Sequence, residues 1–209
     1  MVNFQLTTQH IQNGLDALAA RDKDMAAALA QVGYPAERDN PQGFLTLMRV
    51  MVGQQVSVKA AAAIWGRVLA LSGDTPTPDF YTTLSDEDLR GAGLSRQKVS
   101  YVRSLCATIL DGSLDFGALQ TMSDADAVTS ITKVKGLGIW SAHMYLMFSL
   151  GRADIMPVGD LAVRVGIGRI VGKEERPTEK ECAAIAERWA PYRSSVALMA
   201  WHFYANAPL

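Results

Sequence analysis

The chain has 209 residues, 49% of them apolar and 20% charged, with a formal net charge of −1; that suits one medium domain or two closely packed lobes, and any nucleic-acid surface must be a local patch. Cys106 and Cys182 alone exclude a four-cysteine iron–sulfur or zinc site and argue against a disulfide framework, and His10, His143 and His202 show no metal-ligand spacing. The opening residues do not pattern as a signal peptide and no apolar run reaches membrane-spanning length, so a cytoplasmic, reducing location is expected.

Thr7 or Thr8 is placed to cap a first helix carrying Ile11, Leu15, Leu18 and Ala19, and a second runs from about Met25 to Val32 before Gly33 and Pro35. Phe44, Leu47, Met48, Met51 and Val52 form a helical stripe that stops at Gly53-Gln54-Gln55. Ser57 then reads as the cap of an alanine-rich helix, whose small residues at Ala60, Ala61, Ala62 and Ala63 admit a close neighbour. Adjacent glutamines on a tight corner are either solvated turn residues or a polar wedge that enters a duplex. Thr75-Pro76-Thr77-Pro78 reads as a linker, and Ser85-Asp86-Glu87-Asp88 as a helix start.

Arg90, Arg96, Lys98 and Arg103 follow with no acid between them, around a Gly91/Gly93 turn and a cap at Ser95. Bases near a helix start oppose the macrodipole, so the segment is either an anion site or a solvated basic face. Ser123 begins the next helix, which leads into residues 131–164. After those come helices starting near Pro177-Thr178-Glu179 and near Ser194, separated by Pro191. No alternating strand pattern occurs, and an all-α fold is expected.

In residues 131–164 the turn Gly136-Leu137-Gly138 separates two helical runs. Its glycines permit positive φ and leave amides unobstructed, and Lys133 and Lys135 add charge there. This pattern suits sequence-independent phosphate binding, although a tight connection alone would also satisfy it. Asp160 precedes another helical run, as an N-cap would.

Ordered motifs make residues 44–204 resemble the HhH-GPD superfamily of DNA base-excision glycosylases: Gly136-Leu137-Gly138 its hairpin, Met156-Pro157-Val158-Gly159 its Gly/Pro loop, and Asp160 its aspartate. The strings Val52-Gly53-Gln54-Gln55-Val56-Ser57-Val58-Lys59 and Ala92-Gly93-Leu94-Ser95-Arg96-Gln97-Lys98 resemble the alkylation-repair branch, bacterial 3-methyladenine DNA glycosylase II. The resemblance implies a two-lobed helical domain over residues 1–209, with one lobe at about 44–150 and the other formed by about 1–43 with 151–209. The compact form, without the amino-terminal β domain of some relatives, is expected.

The resemblance further implies a monofunctional glycosylase that excises alkylated purines from double-stranded DNA as a monomer, without a required cofactor or iron–sulfur cluster and with no membrane partner. Asp160 would be catalytic. Trp140 stands where bifunctional members carry a Schiff-base lysine, and with Met144 it would line the base pocket; an indole face attracts a cationic methylated purine. Gln55, or its neighbour Gln54, would be the wedge. Ser57, Ser95, Lys98, Lys135, Gly136 and Gly138 would contact DNA, and the carbonyls of Thr132, Val134 and Leu137 would hold a structural Na+ or K+. Met144 stands where the resemblance allows a second aromatic, and Gly159 where many relatives have a second acid before the catalytic one. The alternative readings are excision of hypoxanthine or uracil on the same scaffold, or non-catalytic damage binding.

Overall fold

The computed structural model describes residues 5–73 and 76–207, and among these every regular element is helical. In chain order they are α1 (Thr8–Ala19), α2 (Lys23–Val32), α3 (Phe44–Gly53), α4 (Val58–Ser72), α5 (Pro78–Thr83), α6 (Asp86–Gly91), α7 (Arg96–Leu110), α8 (Phe116–Leu119), α9 (Asp124–Thr132), α10 (Ile139–Phe148), α11 (Leu161–Ile170), α12 (Glu179–Ala186), a 3-10 turn at Glu187–Trp189, and α13 (Arg193–Asn206). No helix of the described residues is long and apolar enough to cross a membrane.

Local chemistry decides where most helices begin. Thr7, Ser57, Ser85, Ser95, Ser123, Asp160 and Thr178 each accept a backbone N–H from the first turn of the following helix, satisfying donors that the helix itself cannot. Two expectations are corrected. The second helix starts at Lys23, because the Asp22 carboxylate accepts from the N–H groups of Asp24 and Met25. The expected linker ends earlier, since Thr77 caps α5 and Pro78 is its first residue; Thr75 lies outside the described residues.

The chain divides into two compact units, one formed by Met1–Asn40 with Leu146–Leu209 and the other by Pro41–Tyr145. In the first, Ile11, Leu15, Met25, Val163, Ile167 and Met199 build a core from α1, α2, α11 and α13. Gly166 of α11 lies against the backbone of Ala200 in α13, so close that a Cβ would overlap the Ala200 carbonyl. The start of α13 also holds the loop before α11: Arg193 forms a two-pronged pair with Asp154 at 2.7 Å on each arm. Beside it Ser194 Oγ donates to the Arg152 carbonyl at 2.6 Å and accepts from the Ile155 N–H at 2.9 Å.

In the second unit α3 packs against α4 and α7, with Leu47, Met48, Met51, Val99 and Val102 buried. Arg103 of α7 donates to the carbonyls of Tyr81 at 2.7 Å and Leu84 at 2.5 Å and pairs with Asp86 at 2.9 Å, tying α5 and α6 down. The alanines of α4 do less than expected, for Ala62 and Ala63 face solvent. Cys106 in this unit and Cys182 in the other are buried free thiols, and burial pushes each up to about 11.

A Gly166→Ala substitution should force α11 from the Ala200 backbone. We expect a loss of about 3 kcal/mol, read as a fall of roughly 6–12 °C in the thermal midpoint for a chain of this size.

Candidate active site

The corner after α3 separates its two glutamines. Gln54 has φ −62° and ψ 136°, and Gln55 follows at φ +55°, the one non-glycine residue at positive φ among those described. These values suit the central positions of a type II turn, whose second central residue is usually glycine. Holding a glutamine there costs about 1 kcal/mol. Gln54 is half-buried and its Nε2 donates to the Gly136 carbonyl at 2.8 Å, whereas the Gln55 side chain is exposed. The Ser57 hydroxyl oxygen accepts from the Ala60 N–H at 3.2 Å as the α4 cap.

The hairpin between α9 and α10 uses its two glycines differently. Gly136 sits at φ +92°, and a Cβ there would collide with the Tyr101 ring. Gly138 has no positive φ and nothing within 4 Å of where a Cβ would stand. The Lys135 N–H donates to Ser104 Oγ at 3.0 Å and the Leu137 N–H to the Val134 carbonyl at 3.0 Å. The N–H groups of Gly136 and Gly138 meet no acceptor among the described residues, and α10 begins directly after them. Two free amides at the start of a helix can hold a phosphate oxygen. Lys133 and Lys135 are exposed beside them.

No donor among the described residues reaches the carbonyls of Thr132 and Leu137, and under-satisfied carbonyls of this kind suit a hard monovalent cation. No group of three or more His, Cys, Asp or Glu residues is placed to hold a metal among the described residues.

The basic segment is less available than its sequence implies. Lys98 Nζ donates to the Val52 carbonyl at 2.7 Å, and burial lowers its pKa. Its charge, poorly placed at the start of α7, thereby meets the negative end of α3. Arg103 is engaged as described above, leaving Arg90 and Arg96 exposed. Gln54, Gln55, Ser95, Gln97, Lys98 and Tyr101 do share one cavity of about 230 Å³, so the glutamine corner and the start of α7 come together. Tyr101, which supports Gly136 and is bonded by Gln97 Nε2, was not evident from sequence, because an aromatic on a helical stripe reads as core.

Helix α10 is apolar on all sides, and its residues Ala142 and Met144 to Phe148 are buried. Its first two residues stand out instead, Ile139 at 62% and Trp140 at 46% exposure. Trp140 is therefore no core residue. It lines a cavity of about 510 Å³ with Arg49, Val50, Gly53, Gln54 and Gln55. Met144, one turn on, is buried and does not line that cavity.

Asp160, in the other unit, caps α11. Its Oδ1 accepts from the Val163 N–H at 3.0 Å and from Trp201 Nε1 at 3.2 Å. The Trp201 ring stacks obliquely on Phe148 and carries the Arg38 guanidinium 5.6 Å from its centroid. Sequence reasoning missed Trp201, which sits in a helix without an amphipathic signal.

A glycine hairpin with free amides, a glutamine corner tied to it and a helix-capping acid after a Gly/Pro loop define a helix-hairpin-helix protein. Residues 48–191 match the family described as HhH-GPD superfamily base excision DNA repair protein, and the chain belongs to that superfamily. Fission-yeast (Schizosaccharomyces pombe) DNA-3-methyladenine glycosylase 1 is 31% identical over 158 residues, 74% of this chain and 69% of that protein. The crystal structure of a DNA-3-methyladenine glycosidase from Bacillus halodurans superposes with a TM-score of 0.84 at 34% identity, covering 92% of this chain and 89% of the other. The fission-yeast 3-methyladenine glycosylase bound to abasic DNA gives 0.82 at 26% identity, covering 93% and 98%.

The two hairpin glycines should separate on substitution. Gly136→Ala, strained in φ and blocked by Tyr101, is expected to cost about 2–3 kcal/mol, whereas Gly138→Ala should stay within about 1 kcal/mol of the parent yet weaken duplex DNA binding. Urea unfolding and fluorescence anisotropy check the pair. By the same measurement Gln55→Gly should hold or raise stability, by up to about 1 kcal/mol.

Proposed function

We propose that the chain is a monofunctional DNA glycosylase that excises alkylated purines, of the 3-methyladenine and 7-methylguanine type, from duplex DNA by hydrolysing the N-glycosidic bond. The observation that carries this is Trp140. A half-exposed indole on a cavity stands where lyase-competent relatives carry an amine, so no Schiff base can form there, while its π face favours a cationic base. The similarity to 3-methyladenine glycosylases supports the same substrate class.

The amides of Gly136 and Gly138, with Lys133 and Lys135, would seat the backbone without reading sequence. The capped starts of α4 at Ser57 and α7 at Ser95 would add further N–H groups. A monovalent cation held by the Thr132, Val134 and Leu137 carbonyls would supply positive charge against a phosphate. Gln55 would fill the gap left by the flipped nucleotide, since Gln54 is already bonded to Gly136.

Departure of the base takes the C1′–N bonding electrons with it, and an N-alkylated purine leaves as a neutral molecule, so no acid need protonate it. The Asp160 carboxylate would stabilise the positive charge developing on the sugar, orient the water whose oxygen bonds to C1′ and take up the proton that water releases. The Trp201 N–H and the α11 amide would fix that carboxylate before substrate arrives.

Asp160→Asn separates the cap from the chemistry, because asparagine caps about as well as aspartate. We expect an unchanged thermal midpoint and single-turnover release of 7-methylguanine slowed by about a hundred- to thousand-fold. A rate equal to the parent's would remove Asp160 from the mechanism. Trp140→Ala should slow excision of cationic 7-methylguanine about ten-fold more than that of neutral hypoxanthine, the difference a desolvated cation–π contact supports. A lesion-panel assay measures both.

A further inference from the structure

The glutamine that is not the wedge has a position of its own. Gln54 lies 82 residues from Gly136 in the sequence, and its amide donates to the Gly136 carbonyl at 2.8 Å. That carbonyl belongs to the peptide joining Gly136 to Leu137, whose N–H donates to the Val134 carbonyl at 3.0 Å. One peptide plane in the hairpin is thus held at both ends, by the corner after α3 on one side and by the hairpin's own backbone on the other. The Gly136 α-carbon rests on the Tyr101 ring, and the end of α3 is itself held by Lys98 Nζ on the Val52 carbonyl at 2.7 Å.

Gln55, immediately after Gln54, is in the left-handed region. A backbone conformation of that kind persists only where the surroundings determine it, and the Gln54 side chain is an anchor within the turn itself. A phosphate on the Gly136 and Gly138 amides would fix the same short stretch of backbone that Gln54 grips.

We propose that Gln54 is a positioning residue that couples phosphate seating at the Gly136 hairpin to insertion of the Gln55 side chain into the duplex. The inference rests on the glycosylase reading for the role of Gln55. Seating the phosphate fixes Gly136, Gly136 fixes the Gln54 amide, and Gln54 then presents Gln55 at the angle insertion needs.

The test is a double-mutant cycle on a duplex carrying 2-aminopurine beside an abasic analogue, with fluorescence at saturating protein reporting insertion. Gln54→Met keeps length and removes the donor. It should lower the insertion equilibrium about ten-fold, the effect of one lost hydrogen bond, while the dissociation constant for undamaged duplex stays within about two-fold. Combined with Gln55→Ala it should add nothing to the loss Gln55→Ala causes alone, because non-additivity marks residues that act through one another. Gln54→Lys returns an N–H donor of similar reach and should recover insertion, which a merely damaged turn would not.

Parental insertion by Gln54→Met, multiplying effects in the double variant, or a lysine variant no better than methionine would each overturn the coupling. Should the parent release no alkylated base, the glycosylase reading fails. The cycle on the abasic duplex needs no chemistry and still decides the coupling.

Discussion

The second unit depends on the absence of one Cβ. At Gly136 the backbone is in the left-handed region and rests directly on the Tyr101 ring, so α7, the hairpin and the start of α10 meet without a side chain between them. Three consequences follow from that contact. The Gly136 carbonyl is brought within reach of Gln54, the neighbouring amides are left without an acceptor among the described residues, and Trp140 is carried at the exposed start of an otherwise buried helix. A surface that binds DNA backbone gains from being rigid before its ligand arrives, since ordering it on binding would subtract from affinity.

The first unit solves a different problem, that of holding one carboxylate. Asp160 is fixed from its own helix by the Val163 N–H and from α13 by Trp201, while the loop leading to it is fastened to the start of α13 by Arg193 and Ser194. Both ends of the segment are therefore referred to the same helix. Gly166 lets α11 and α13 approach to backbone contact, which keeps that reference short and stiff. The local role of Asp160 as a cap and its proposed chemical role do not compete. A cap oxygen pinned by N–H donors is also a carboxylate whose orientation is settled in advance.

What the sequence made legible was the local part. Capping residues act within three or four positions, so Ser57, Ser95, Ser123 and Asp160 could be read directly, as could the hairpin glycines and the all-helical pattern. What it concealed was long-range pairing. Lys98 looked like a phosphate ligand because its partner, the Val52 carbonyl, is 46 residues away, and a backbone carbonyl leaves no trace in a side-chain motif. Gln54 and Gln55 are equivalent in the sequence, and the Gly136 carbonyl beside Gln54 is what distinguishes them. Trp201 was hidden for the same reason, 41 residues from Asp160 in a helix without an amphipathic pattern. The short helix α8 also lay below the reach of periodicity, being four residues long.

The two cysteines bear on how such a protein would fare where its proposed substrates arise. Alkylated purines form when electrophiles reach DNA, and those electrophiles also attack thiolates. Cys106 and Cys182 are enclosed, and with thiols raised to about 11 only about one in ten thousand of either would be ionised at pH 7. The fold thus keeps both of its thiols from the agents that alkylate DNA.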